Sequence, residues 1–181
     1  MRRSLNLWLL LLAFVAPIAI AWAMLRFQWY EGGVTNRGNL LPSPVAMSWL
    51  QPEQPQWQLV YQQPQACDPL CQGALFNLRQ VPQVIGESEQ RLQSTLLLGE
   101  TEAATSAAST ELSAAQVKAM TETQQVEWAA LPFGAEAIYI VDPLGNIMMA
   151  YPLVEGKEAI LSQGKDIVRD LKRLLKVSKI G

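Results

Sequence analysis

Residues 57–71 read WQLVYQQPQACDPLC. Trp57 to Tyr61 is a short β-prone run that stops before Gln62-Gln63-Pro64, the pattern of a core strand ended by a turn. Asp68-Pro69 then has the chemistry of a helix start. Asp accepts a backbone N–H as an N-cap, and Pro at the first helical position has no N–H to leave unpaired. Leu75, Leu78 and Val81, with Phe76 beside them, supply the buried face of that helix, and Pro82 is expected to bend or end it. Cys67 and Cys71 therefore fall at a strand-to-helix junction, Cys67 just before the helix and Cys71 in its first turn.

These are the only two cysteines in the chain, which has no histidine. A cysteine at a helix start feels the positive end of the dipole, which favours thiolate, the form that acts as nucleophile and as soft-metal ligand. The spacing leaves both a disulfide and a two-coordinate Cu(I) site open. Asp68 opposes strong activation, because its charge disfavours a second anion beside it. An inert bridge is the plain alternative, but so short a loop removes little unfolded-state entropy and is a poor place for a purely stabilising crosslink. Ser-His or Cys-His nucleophiles, an imidazole zinc site and a histidine general base are excluded by composition. Gly32-Gly33 is too isolated to cradle a phosphate, and Glu87/Glu89 and Glu100/Glu102 read as solvated carboxylates.

The compartment is set by the N-terminus. Leu5 to Leu25 is a run of 21 uncharged residues, long enough to cross a hydrocarbon core of about 30 Å as a helix. Arg2, Arg3 and the terminal amine outweigh Arg26, so the positive-inside rule places the N-terminus in the cytoplasm and the rest outside. Trp8 at one end, and Trp22, Trp29 and Tyr30 at the other, suit the two interfaces. Ala21-Trp22-Ala23 satisfies a signal-peptidase pattern, but the apolar run exceeds the core of an ordinary signal and reads as a retained anchor. Export to a periplasm-like compartment allows a cysteine pair to form and keep a disulfide. Without Arg2, Arg3 and Arg26 the chain has 11 basic against 16 acidic residues, a net charge of -5. Nucleic acid is therefore not an expected partner.

Residues 27–56, with Pro42, Pro44, Pro52 and Pro55 and little periodicity, read as a tether and entry segment. Residues 57–181 read as one exported domain, behind the stub and anchor of residues 1–26. Arg91 to Leu98 is expected as a second strand ending at Gly99. The Ala/Thr/Ser/Glu stretch of residues 100–110 reads as a loop, opening a helix over 111–123 capped by Ser109 or Thr110. Ala137 to Val141 and Ile147 to Tyr151 flank Asp142-Pro143-Leu144-Gly145-Asn146 and read as a hairpin. Ile160, Ile167, Val168, Leu171, Leu174 and Leu175 recur at helical spacing, and Lys172, Arg173 and Lys176 complement the dipole at the end of that helix. The order is strand, helix, strand, helix, strand, strand, helix. With cysteines at the first strand-to-helix junction, it matches an α/β, thioredoxin-like domain behind a single transmembrane helix.

The runs CDPLCQGALFNLRQV, residues 67–81, and AIYIVDPLG, residues 137–145, resemble the Sco/SenC family, membrane-anchored thioredoxin-fold proteins that help assemble the copper centre of cytochrome c oxidase. The likeness covers most of residues 57–176. It implies copper(I) ligation, thiol–disulfide exchange, or both for Cys67 and Cys71, and a respiratory oxidase subunit or its copper-assembly machinery as partner, at a bacterial inner membrane with the domain in the periplasm. The family's third copper ligand is a histidine on the loop before the hairpin, which falls near Gly134 here. Leu131 to Glu136 holds no imidazole. Met148 and Met149 are the only paired soft ligands, and alternation on a strand turns at most one toward any site. The acidic motif usual on the family's second strand is not found in Leu96 to Glu100, and Pro132 is not close enough to Ala137 to match a thioredoxin proline. The alternative is a non-catalytic docking module with a permanent Cys67–Cys71 bridge, binding through Trp49, Trp57 and Trp128. A two-thiolate Cu(I) carrier is a third reading.

Overall fold

The computed structural model describes residues 2–27, 35–99 and 115–178. The chain divides into two compact units, Met1–Thr35 and Asn36–Gly181. The first is helix α1, Arg2–Arg26, whose stretch Trp8–Arg26 is long and apolar enough to cross a membrane. Leu12, Phe14, Ile18 and Trp22 are all exposed on it, as suits side chains that meet lipid rather than protein. Trp29, Tyr30, Gly32 and Gly33 lie outside the described residues.

The second unit is a six-stranded sheet with helices on both faces. Its elements are β1 (Asn39–Ala46), β2 (Trp57–Gln62), α2 (Pro69–Ile85), β3 (Leu92–Gly99), β4 (Ala115–Met120), α3 (Glu122–Ala129), β5 (Ala137–Val141), β6 (Asn146–Pro152) and α4 (Lys157–Val177). The sheet order is β1-β6-β5-β2-β3-β4. β2, β3 and β4 are parallel, and β5, β6 and β1 each run antiparallel to their neighbour. β2 is central and buried on both faces, which is why WQLVY is an almost unbroken apolar run. Trp57, Leu59 and Tyr61 pack with α2 and α4, while Val60 belongs to the opposite core with Leu50, Leu97, Trp128 and Tyr139. Gln58, buried in the same strand, is satisfied: its amide donates to the Leu50 carbonyl at 2.7 Å and its oxygen accepts from Thr95 Oγ1 at 3.0 Å.

Four expectations need correction. Of the bend or end expected at Pro82, the end does not occur: α2 continues to Ile85. A proline there cannot donate to the Leu78 carbonyl four residues back, and Ser94 Oγ on β3 donates to that carbonyl instead, at 2.6 Å. Where a helix over residues 111–123 is expected, residues 115–120 form strand β4, followed by α3 from Glu122. Residues 100–114, including Ser109 and Thr110, lie outside the described residues. Helix-favouring Ala, Gln and Lys are overridden at 115–120 by the ladder offered by β3. The cap of α3 is Thr121, in a reciprocal capping box with Gln124. Finally, residues 39–46 of the expected tether form β1, paired with β6. Pro42 and Pro44 are tolerated because β1 is an edge strand with a register shift between Leu40 and Val45.

α4 carries a buried acid that its apolar spacing conceals. Asp170 Oδ2 accepts from Arg37 N at 2.7 Å, Gly38 N at 3.0 Å and the Tyr151 hydroxyl at 2.9 Å. One carboxylate thereby ties the entry to β1, strand β6 and helix α4 together. α2 and α4 meet closely at two glycines: a Cβ on Gly73 would lie 2.8 Å from Ile160, and one on Gly164 would lie 2.7 Å from Asn77 Oδ1. Asn77 Nδ2 donates across that seam to the Ile160 carbonyl at 3.2 Å.

Two predictions follow from these bonds. Ser94→Ala, which strands a buried carbonyl, is expected to cost about 1–3 kcal/mol in denaturant unfolding. In a Pro82→Ala background the restored N–H should erase most of that cost, so additivity in the double-mutant cycle would refute the compensation. Asp170→Ala leaves the Arg37 and Gly38 N–H groups without their acceptor and the Tyr151 hydroxyl with only the Met149 sulfur, 3.1 Å away. It should destabilise by about 1–3 kcal/mol for each N–H group left unpaired, measured by the same unfolding experiment.

Candidate disulfide site

The chain leaves β2 at Gln62 and turns into α2 through the cysteine loop. Asp68 is extended (φ -79°, ψ 179°) and caps the helix. Its Oδ1 accepts the Cys71 N–H at 2.8 Å, and its carbonyl accepts from Gln72 N at 3.0 Å. Pro69 occupies the first helical position and Cys71 the third, as the sequence predicts. Cys67 and Cys71 are joined in a disulfide across a Cα–Cα distance of 5.2 Å.

The two sulfur-bearing residues are not equivalent. Cys71 is fully buried in the core with Leu78 and Tyr61, whereas Cys67 is half-buried at the edge of that core. Cys67 is therefore the more accessible of the two, while Cys71 lies in the first turn of α2, where the positive end of the helix dipole favours a thiolate. Tyr61 lies under the loop. Burial, and then the charge of Asp68, push its phenol above its ordinary range, so it stays neutral. Its hydroxyl is buried without a hydrogen-bond partner among the described residues. Sequence reasoning did not single out Tyr61, since an aromatic in a core strand reads as packing alone.

The loop from Leu131 to Glu136 reaches the same end of the sheet. Gly134 and Ala135 line one cavity with Gln62, the last residue of β2, and Tyr139 Oη donates to the Gly134 carbonyl at 3.1 Å. Burial pushes the Tyr139 phenol up to about 12. The loop reaches the end of β2 but carries no imidazole. Met148 and Met149 add no ligand there either: Met149 is buried, its sulfur 3.1 Å from the Tyr151 hydroxyl that donates to Asp170. Met148 is the extra residue of a bulge opposite Ile140 and Val141, and both methionines pack on the α2/α4 core. Among the described residues no three His, Cys, Asp or Glu side chains gather. The donor set is two sulfurs, which fit Cu(I) only as a reduced thiolate pair and do not fit Cu(II). The aromatic surface expected of a docking module is also corrected. Trp57 and Trp128 are buried on opposite faces of the sheet, and only Trp49 is half-exposed, donating to Glu127 Oε2 at 2.9 Å.

A four-stranded β2/β3/β5/β6 core, α2 and α4 on one face, and a cysteine pair at the start of α2 define a thioredoxin-like protein. Residues 57–178 match the family described as transmembrane-like, thioredoxin-like, C-terminal domain, and the chain belongs to it. No curated protein matches the chain. Among solved structures, ScoI of Bradyrhizobium japonicum with copper bound is 13% identical over 66% of this chain and 85% of that one, with a TM-score of 0.47. A SCO1/SenC family lipoprotein from Bacillus anthracis is 12% identical over 76% and 95%, with a TM-score of 0.47. A PrxQ variant from Xylella fastidiosa is 14% identical over 78% and 98%, also with a TM-score of 0.47. All three are likenesses of fold.

Asp68→Asn keeps a good N-cap while removing the charge beside the pair. Thiolate becomes easier to form, so the reduced state gains and the potential should move about 10–20 mV in the less negative direction. Thiol trapping across a redox buffer measures it, and a shift of the opposite sign would contradict the assigned role of Asp68.

Proposed function

We propose that this protein is a membrane-anchored thiol–disulfide exchange factor that assists assembly of a respiratory oxidase. The observation that carries the exchange chemistry is the bond between half-buried Cys67 and fully buried Cys71 at the start of α2. A partner thiolate attacks Cys67 Sγ, breaking the bond and releasing Cys71 as thiolate. A second partner thiol then attacks the partner sulfur of the mixed disulfide and releases Cys67. Two electrons and two protons pass to the Cys67/Cys71 pair, and the partner is left oxidised; in the reverse sequence the reduced pair gives two electrons and two protons to a partner disulfide and becomes the disulfide again.

The oxidase assignment is supported by the likeness of residues 67–81 and 137–145 to the Sco/SenC family and by the N-terminal apolar helix. The arginine bias around that helix supports an inner-membrane protein with its domain in the periplasm. In this reading the partner is an oxidase subunit or its copper-assembly machinery. Copper(I), if handled at Cys67 and Cys71, is cargo rather than a resident cofactor. A second reading, a docking module with a permanent bridge, is favoured by the missing histidine.

The Cys67→Ser, Cys71→Ser double variant should fold but lose oxidase maturation in cells. The midpoint potential of the pair should fall between about -120 and -270 mV, the range of exchanging dithiols, and a shift when Cu(I) is added would mark copper as cargo. Normal maturation by the double variant, or a potential below about -300 mV unmoved by copper, would favour the docking module.

A further inference from the structure

We infer that the seam between α2 and α4 is a docking groove for an acidic, amphipathic helix of a partner protein. The groove encloses about 650 Å³. Phe76, Gln80 and Val84, at spacing i, i+4, i+8, form one wall, and Leu161, Lys165, Val168, Arg169 and Lys172 form the other. Its floor lies over the close approach at Gly164 and Asn77. Phe76, Val84 and Leu161 are 37%, 56% and 42% exposed, so the walls present apolar surface to solvent.

Charge selects the occupant. Lys165, Arg169 and Lys172 recur at i, i+4, i+7 along the lip and are exposed. None of the three has a carboxylate within ion-pair distance among the described residues. α2 contributes no acidic residue to the opposite wall. This basic row stands out in a chain whose part beyond the anchor carries -5. A second copy of the chain is disfavoured, because a two-fold contact through this face would set the basic row against itself. The concavity between two helices suits an inserted helix with apolar anchors at i, i+3, i+4 and i+7 better than the flat surface of a bilayer.

The groove also points toward the cysteines. A second cavity shares Phe76 and Leu161 with it and extends to Pro69 and Gln72, in the first turn of α2 beside the disulfide. A helix seated along the seam would bring its flanking chain to Cys67. That consequence rests on the exchange reading; the groove itself does not.

The test uses the full chain in nanodiscs of zwitterionic lipid and a fluorescent designed helix with leucines along one face and glutamates beside them. A lysine-flanked version of the same helix is the control. The glutamate helix should bind and the lysine helix should not. Combining Lys165→Glu, Arg169→Glu and Lys172→Glu should weaken the glutamate helix by about tenfold or more and admit the lysine helix. Val84→Asp should abolish binding of the glutamate helix to the otherwise unaltered chain. Circular dichroism checks that each variant, altered only at the surface, stays folded. The Cys67→Ser, Cys71→Ser variant should bind the glutamate helix unchanged, which separates a failed groove from a failed exchange reading. Equal binding of the two helices, insensitivity to Val84→Asp, association only with anionic-lipid nanodiscs, or self-association through these residues would each overturn the inference.

Discussion

β2 is the constraint on which the rest of the second unit depends. Its residues face two cores at once, so the strand is acceptable only if α2 and α4 close one face while α3 and the turn around Leu50 close the other. Fully burying side chains such as Leu59, Val60 and Tyr61 is worth about 1.5–3 kcal/mol each, and none of it is gained by the strand alone. The parallel step from β2 to β3 requires a crossover, and α2 is that crossover. The cysteine loop is the first part of it, which is why the chemistry sits where the central strand ends.

Several backbone groups are satisfied only across elements. The Leu78 carbonyl, deprived of a donor by Pro82, finds Ser94 on β3. The N–H groups of Arg37 and Gly38 find Asp170 on α4. In each case a local break is compensated by a residue distant in sequence, and the buried polar group that results is costly only when its partner is lost. The groove depends on the same packing: α2 continues past Pro82 to carry Val84, and Asn77, bonded to the Ile160 carbonyl beside Gly164, sits at the seam with α4.

Legibility followed the range of the interactions. The hairpin was readable because its turn is chemically self-contained: the Asp142 carboxylate accepts from Leu144 N and Asn146 N, and Gly145 takes the positive φ of 85°. The start of α2 was equally readable, since Asp68-Pro69 acts within one turn. β1 and β4 were not. Each is an edge strand whose extended form is stabilised by a neighbour far away in sequence, and whose own residues, Pro42 and Pro44 or Ala115 and Ala119, argue for something else. That Met148 and Met149 both pack on one core was hidden for the same reason, because a bulge breaks the alternation that sequence assumes.

By itself, then, the sequence determined the apolar N-terminal helix, the central strands, the placement of Cys67 and Cys71 around an N-cap, and the absence of any imidazole chemistry. Each depends on residue type and spacing within a few positions of the chain. Tertiary structure decided the unequal burial of the two cysteines, the neutral Tyr61 beneath their loop, the role of Asp170 and the basic groove between α2 and α4. Burial, dielectric and long-range pairing belong to surfaces brought together by packing, and no local pattern encodes which surface will meet which.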